Sequence, residues 1–122
     1  MTRHDAMKVL VVDDEPLLAI DLADCLEDAG FMVVGPAGSV KDALALIAAP
    51  GCDAAVIDVN LGRETAEPIA HELTRLGIPF IVVSGYAPDQ IPLVFHTAPR
   101  LVKPFDVAAV VTLLRRDRPA GQ

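Results

Sequence analysis

The sequence contains no tryptophan and only five aromatic residues, one tyrosine and four phenylalanines. Aromatic rings are the surfaces on which unpaired bases stack, so a single-stranded nucleic acid is not an expected ligand. Basic residues are also few, since 10 Lys and Arg stand against 17 Asp and Glu and leave a net charge of −7. Because an acidic domain repels phosphate backbones, no nucleic-acid partner is predicted.

Long hydrophobic runs and recognisable cysteine patterns are missing as well. No apolar run approaches the roughly 18 residues that a membrane span requires, and no secretory leader precedes the first apolar segment. The two cysteines, Cys25 and Cys52, have neither the spacing of a metal site nor the density of a disulfide scaffold. These absences predict a cytoplasmic protein without a membrane partner.

The chain has enough apolar material for one folded domain. Hydrophobic residues make up 52% of its 122 positions, and a chain of about 100–150 residues typically forms a single domain. We expect residues 1–118 to form that domain and residues 119–122 to be a polar tail. We also expect the protein to be a monomer.

Apolar segments of strand length alternate along the chain with segments of helical period. Runs rich in branched side chains predict strands at 8–13, 31–35, 53–58, 78–84 and 100–103. Apolar residues three or four apart predict helices at 16–29, 39–47, 63–76 and 106–114, the third beginning near residue 66 or 67 because of Pro68. The three prolines between residues 84 and 100 leave room for only a short or irregular helix there. This alternation predicts an α/β fold with five βα repeats, a doubly wound parallel sheet.

Acidic residues stand where two of the predicted strands end. The first strand ends in Asp13 and Asp14, and the third ends in Asp58. The carboxyl ends of parallel strands share the edge at which ligands bind in open α/β sheets. Carboxylates gathered there repel unless a cation lies between them, and oxygen ligands without His or Cys suit Mg²⁺. The alternative is that Asp13 and Asp14 only cap a turn and a helix.

Ser84 and Lys103 end the fourth and fifth predicted strands. A serine hydroxyl can donate to a phosphoryl oxygen, and a lysine ammonium supplies a movable positive charge. An aspartyl-phosphate intermediate requires a carboxylate nucleophile, and Mg²⁺, a hydroxyl and an ammonium stabilise the transferring group. Each residue is ordinary singly, but the five together predict a phosphoryl-transfer site.

In four motifs the chain resembles the receiver domains of response regulators in bacterial two-component signalling, also called CheY-like domains. The motifs are, in order, VVDDEP at 11–16, VIDVNLG at 56–62, VVSGYA at 82–87 and LVKPFD at 101–106. With this resemblance we expect the flavodoxin-like strand order 2-1-3-4-5. The resemblance implies that Asp58 is the phosphoacceptor. It also implies that Asp14, Asp58 and the backbone carbonyl of Asn60 bind Mg²⁺ directly, with Asp13 acting mainly through water.

The same resemblance assigns the remaining motif residues and shows one departure. It implies that Ser84 is the switch hydroxyl, that Lys103 is the ion-pairing lysine, and that the Lys103–Pro104 bond is cis. Arg100 stands where receivers usually carry an aromatic switch residue. Tyr86 is either a loop anchor or a substitute for that missing aromatic side chain.

Further details are similar to one subgroup of receivers, named for its FATGUY motif. The shortened segment between the fourth and fifth strands, the VVSGY sequence and the DVNLG sequence resemble this subgroup. The subgroup is similar to single-domain regulators of alphaproteobacteria. The resemblance implies a sensor histidine kinase of HWE or HisKA2 type as the phosphodonor.

The expected function is therefore that of a phosphoacceptor switch and not of an enzyme acting on other substrates. Because only 19 residues follow Lys103, we expect output through a downstream regulator or phosphotransfer protein, or use as a phosphate sink. A hydrolase of the haloacid dehalogenase type is the weaker alternative, because its general acid would replace Asn60. A third reading, a receiver-like domain used only for binding, conflicts with the five intact residues. The sequence leaves open whether the chain is a free protein or a fragment of a hybrid kinase.

Overall fold

A parallel sheet of five strands organises the chain. The computed structural model describes residues 7–85 and 91–116. In chain order the strands are β1 Lys8–Val12, β2 Met32–Ala37, β3 Ala54–Asp58, β4 Asn60–Leu61, β5 Glu64–Thr65, β6 Phe80–Ser84 and β7 Arg100–Val102. The main sheet has the order β2-β1-β3-β6-β7, and each neighbouring pair is parallel. The predicted order 2-1-3-4-5 is confirmed, because β4 and β5 form a separate hairpin.

Four α-helices cover the two faces of the sheet. They are α1 Pro16–Asp28, α2 Val40–Ala48, α3 Glu67–Leu76 and α4 Val107–Arg116. Buried residues of α2 and α3 pack in one core cluster and those of α1 and α4 in another. Alternate residues of the strands enter alternate clusters, since successive strand side chains point to opposite faces. The predicted doubly wound α/β architecture is confirmed.

Local sequence signals set the ends of these helices. Pro16 and Pro68 lie in the first turns of α1 and α3, where a missing N–H costs no helical hydrogen bond. The hydroxyl of Ser39 accepts a hydrogen bond from the backbone N–H of Asp42 at 3.1 Å and so caps α2. Gly77 ends α3 with a φ of 73°, a conformation that glycine adopts without a steric penalty.

The segment between β6 and β7 contains little regular structure in its described part. Residues 91–99 hold a single short 3-10 helix, Leu93–Phe95, and the Phe95 side chain is fully buried. The expectation of a short or irregular helix is confirmed for these residues. Residues 86–90 lie outside the described part, as does the polar tail expected at 119–122.

One element was not predicted from the sequence. Residues 60–65, between β3 and α3, form an antiparallel hairpin in which Asn60 pairs with Thr65 and Leu61 with Glu64. Strands of two residues are too short to show an alternating pattern. No helix in residues 7–85 and 91–116 is long and apolar enough to cross a membrane.

Candidate functional site

Three carboxylates meet at the carboxyl edge of the sheet. Asp13 and Asp14 directly follow β1, and Asp58 is the last residue of the adjacent strand β3. One carboxylate oxygen from each of the three lies within 4.8 Å of the others. Asp58 is 8% exposed, whereas Asp14 is exposed to solvent. The cluster is therefore anchored in the protein at Asp58 and open to solvent at Asp14.

Lys103 supplies the positive charge of this cluster. Its Nζ donates a hydrogen bond to Oδ2 of Asp58 at 2.6 Å and lies 3.5 Å from Oδ2 of Asp13. A third carboxylate, that of Glu15, is 3.4 Å from the same nitrogen. Burial disfavours the charged lysine, but the hydrogen bond and charge of Asp58, with the charge of Asp13, outweigh it and raise the pKa of Lys103. Lys103 is therefore held as a cation against the acidic cluster.

The carboxylate of Asp58 is oriented by contacts to both of its oxygens. While Oδ2 accepts from Lys103, Oδ1 accepts from the backbone N–H of Asn60 at 3.1 Å. The segment that follows β3 thus turns back onto the side chain of Asp58, the last residue of that strand. These two contacts fix where the carboxylate points.

Asp13 lies beside Asp58 in an environment that disfavours its charged form. Its Oδ1 accepts a hydrogen bond from the backbone N–H of Glu15 at 2.9 Å. Burial is the main reason that the pKa of Asp13 is raised, and the nearby charges of Asp58 and Glu15 add to the effect. The backbone hydrogen bond and Lys103 offset it only in part. Asp13 therefore contributes a charge that a bound cation would stabilise.

Ser84 is the buried hydroxyl at this edge of the sheet. It ends β6 and is 1% exposed. The register pairs Asp58 with Val83, so Ser84 comes one residue beyond the level of Asp58 on the neighbouring strand. The carbonyl of Ser84 accepts a hydrogen bond from the backbone N–H of Lys103 at 3.0 Å. The backbone thus connects the serine and lysine positions directly.

The donor set suits a hard divalent cation. In the described ranges 7–85 and 91–116, Asp13, Asp14 and Asp58 are the one group of three or more acidic, His or Cys side chains close enough to share an ion. All of the side-chain donors are carboxylate oxygens, which Mg²⁺ and Ca²⁺ prefer over nitrogen or sulfur. The residues therefore fit the metal expected from the sequence.

Three further expectations concern Pro104, Arg100 and Tyr86. The Lys103–Pro104 peptide bond is cis, as the resemblance implies. Arg100 begins β7, is partly buried and pairs with Val82. Tyr86 lies outside the described residues, so its role as anchor or switch stays a prediction.

Sequence reasoning missed the long-range contacts of two acidic residues. Glu15 follows Asp14 and reaches Lys103; the only available signal was the third acidic residue in the DDE run. Glu64, in β5, reaches the start of α2, a contact across 24 residues for which the sequence carries no local signal. The hairpin tip is also close, since a Cβ placed on Gly62 would lie 3.5 Å from Oδ2 of Asp14.

Comparison with known proteins defines the family. The model of the response regulator receiver domain matches residues 9–115, and the chain belongs to this family. Receiver domains bind a divalent metal at an acidic pocket and interact with histidine kinases and downstream effectors. The chain is thus a receiver domain related to two-component regulators.

Individual relatives agree with this assignment. The transcriptional regulatory protein PdtaR of Mycobacterium tuberculosis is 29% identical over 108 residues, which are 85% of this chain and 53% of PdtaR. The chain therefore spans about half the length of this relative. SdrG from Sphingomonas melonis Fr1 is 38% identical with a TM-score of 0.77, covering 94% of this chain and 97% of SdrG.

A further solved structure shows the chemistry of a relative. A response regulator from Burkholderia pseudomallei was crystallised with a phosphorylated aspartic acid, a calcium ion and citrate. It is 27% identical with a TM-score of 0.79, covering 88% of this chain and 66% of that protein. An aspartyl phosphate and a divalent ion therefore occur together in a protein of this fold.

Proposed function

We propose that this chain is a phosphorelay receiver that accepts a phosphoryl group on Asp58 from a sensor histidine kinase in a Mg²⁺-dependent reaction. The observation that carries the proposal is the setting of Asp58. Its carboxylate ends a buried strand, lies within 4.8 Å of two further carboxylates and is bonded to Lys103 at 2.6 Å. A nucleophile next to a cation site and a fixed ammonium is what phosphoryl transfer requires.

In the proposed transfer, a carboxylate oxygen of Asp58 forms a bond to phosphorus. The phosphorus–nitrogen bond of the phosphohistidine donor breaks, and the imidazole nitrogen leaves with the electron pair. Lys103 already contacts Oδ2 of Asp58, so its ammonium is placed to neutralise negative charge on the transferred group. The buried hydroxyl of Ser84 would donate to a phosphoryl oxygen and act as the switch hydroxyl.

The metal would be held by residues of the acidic cluster. Asp14, Asp58 and the backbone carbonyl of Asn60 would bind Mg²⁺ directly, and Asp13 would act mainly through water. The bound ion would supply positive charge that stabilises the phosphoryl oxygens. The support is the all-oxygen donor set and the calcium ion in the Burkholderia relative.

The subgroup and partners are finer parts of the same proposal. The similarity to SdrG, at 38% identity over most of both chains, supports the FATGUY-type subgroup and, with it, a kinase of HWE or HisKA2 type. Output would pass through protein contacts with a downstream regulator or phosphotransfer protein, or the domain would act as a phosphate sink. The receiver domain, residues 1–118, would catalyse only its own phosphorylation and dephosphorylation. It would act as a monomer in the cytoplasm.

Beryllofluoride, a phosphoryl analogue, tests the proposal. With Mg²⁺ present it should shift the amide resonances of Asp58, Ser84 and Lys103 and the fluorescence of Tyr86, the one tyrosine in the chain. Asp58→Asn should abolish these changes, because an amide is a poor nucleophile and metal ligand. Asp53→Asn, just before the opposite end of β3, is the matched control and should respond like the wild type.

Labelling of the protein by a phosphodonor shows most clearly whether Asp58 is the phosphoacceptor. If radiolabelled acetyl phosphate still modifies Asp58→Asn to the wild-type level, Asp58 is not the acceptor. If Asp58 is occupied while Tyr86 fluorescence stays constant, Tyr86 is a loop anchor and not a substitute for the aromatic switch.

A further inference from the structure

The β4–β5 hairpin connects the acidic cluster to the start of α2. It begins two residues after Asp58, and the N–H of Asn60 binds the carboxylate of Asp58. Its tip, Gly62, has a φ of 64° and approaches Oδ2 of Asp14 so closely that a Cβ there would be 3.5 Å away. The hairpin therefore lies against two of the three carboxylates.

The inner strand of the hairpin is fixed by the core, whereas the outer strand is not. Leu61 of β4 is 3% exposed and belongs to the main core cluster. At the base, the N–H of Ala66 donates to the carbonyl of Val59 at 2.8 Å. Both residues of β5, Glu64 and Thr65, are exposed. An isolated two-stranded hairpin is marginally stable, so the position of β5 depends on what its side chains contact.

Glu64 makes the contact that ties β5 to the rest of the protein. Its Oε1 accepts a hydrogen bond from the backbone N–H of Val40, the first residue of α2, at 3.1 Å. The N–H groups of a first helical turn have no partner inside the helix, and a carboxylate there is favoured by the helix dipole. The side chain of Thr65, by contrast, bonds only two residues along the chain, to Glu67.

We propose that Glu64 is a positioning residue that anchors the β4–β5 hairpin to the start of α2 and thereby sets the divalent-cation affinity of the Asp13, Asp14 and Asp58 cluster. The inference rests on the proposed function, because it assumes that the cluster binds Mg²⁺. Glu64 itself does not touch the metal. It acts by holding the outer strand β5, and with it the hairpin tip at Gly62, against Asp14.

The coupling must act in both directions. If the Glu64 contact improves cation binding, cation binding must stabilise the Glu64 contact by the same factor. The amide of Val40 should then exchange more slowly with solvent when Mg²⁺ is bound, although Val40 is not part of the cation site. Because Mg²⁺ also stabilises the fold as a whole, the signature of coupling is slowing at Val40 that Glu64→Ala reduces while other protected amides keep theirs.

The test uses three variants of the full chain and two measurements. Glu64→Ala removes both acceptor and charge, Glu64→Gln keeps an acceptor oxygen, and Glu67→Ala removes the same charge and one hydrogen bond without touching α2. Ser39 still caps α2 in all three variants, so folding is expected to survive. Mg²⁺ affinity is measured from amide shifts at Asn60 and Gly62, and hydrogen exchange is measured at Val40.

For Glu64→Ala we expect the Mg²⁺ dissociation constant to rise at least about threefold. The rise should stay below the roughly 10–100-fold loss of metal affinity that follows removal of a group hydrogen-bonded to a metal ligand. Glu64→Gln should recover part of the affinity, and Glu67→Ala should bind like the wild type. Mg²⁺ should slow exchange at Val40 more in the wild type than in Glu64→Ala.

Two outcomes would overturn the inference: one leaves the proposed function standing, and the other overturns it too. If Glu64→Ala and Glu67→Ala bind Mg²⁺ equally and the ion slows Val40 exchange equally in both, Glu64 has no positioning role while the proposed function stands. If the wild type shows no Mg²⁺-dependent shift at Asp14 or Asp58, the cation site is wrong, and the proposed function and this inference fail together.

Discussion

At the scale of single residues, Lys103 is the group on which the acidic cluster depends. Its ammonium contacts the carboxylates of Asp58, Glu15 and Asp13, and its side chain is 23% exposed. The raised pKa of Lys103 means that its ion pairs contribute stability below the ordinary lysine value of about 10.4, wherever the partner carboxylates are ionised. On the alkaline side, that contribution is lost as the pH rises through the raised folded-state pKa.

Replacing Lys103 by alanine should have opposite effects on stability and on metal binding. Without Mg²⁺, the free energy of unfolding should fall by roughly 1–3 kcal/mol, below the ~3–5 kcal/mol of a fully buried pair, because Lys103 remains partly exposed. The Mg²⁺ dissociation constant should fall several-fold, since a competing cation is removed from the same carboxylates. Urea unfolding and Mg²⁺ titration measure the two effects.

Lys41→Ala, on the exposed side of α2, is the matched control for the loss of one positive charge. Equal unfolding free energies for Lys103→Ala and Lys41→Ala would show that the contacts to Asp58 contribute no stability.

At the scale of elements, α4 compensates for an unfavourable end of α1. The last turn of α1 contains no basic residue and includes Glu27 and Asp28, whose charges oppose the helix dipole. Arg115 of α4 donates from its guanidinium to the carbonyl of Ala29 at 3.3 Å. Its guanidinium carbon lies 6.0 Å from the centre of the Phe31 ring, within the range of a cation–π contact.

Arg115→Ala should therefore destabilise the packing of α4 against α1. We expect the free energy of unfolding to fall by about 1 kcal/mol, the combined value of one charged hydrogen bond at a helix end and an exposed cation–π contact. The loss should shrink in high salt, because both interactions are electrostatic. Arg116→Ala, one residue along the same helix, is the control in thermal or urea unfolding, and an equal loss there would refute the specific role of Arg115.

At the scale of the whole molecule, negative charge dominates, and three carboxylates meet at the site. The chain carries a net charge of −7, and the pKa of Asp13 is raised chiefly by burial. A raised carboxyl pKa means that the folded state keeps a proton that the unfolded state has already lost. The contribution of Asp13 to the stability of the metal-free protein should therefore fall as the pH rises through that window, and a bound cation should restore it.

Mg²⁺ should stabilise the whole domain by binding only its folded form. At a concentration 100 times the dissociation constant, the expected gain in unfolding free energy is about 2.7 kcal/mol. Asp14→Ala should lose most of this gain because it removes a carboxylate of the proposed cation site, whereas Asp21→Ala, on the exposed face of α1, should keep it. NaCl of equal ionic strength corrects for general screening, and an equal gain from NaCl would contradict specific binding.

The amino-acid sequence by itself determined the alternating fold and predicted the five residues of the candidate site. Continuous apolar strands and helices of regular period predict a parallel sheet, and in a parallel sheet all carboxyl ends meet at one edge. Asp13, Asp14, Asp58, Ser84 and Lys103 each stand at or just after a strand end, so the topology alone predicts that they gather.

Only the tertiary structure decided the contacts that orient these residues. The strands of the β4–β5 hairpin are two residues long, too short to show a period. Glu15 reaches Lys103 across 88 residues, Arg115 reaches Ala29 across 86, and Glu64 reaches Val40 across 24. Such contacts depend on the distance between elements after packing, which local propensity does not specify.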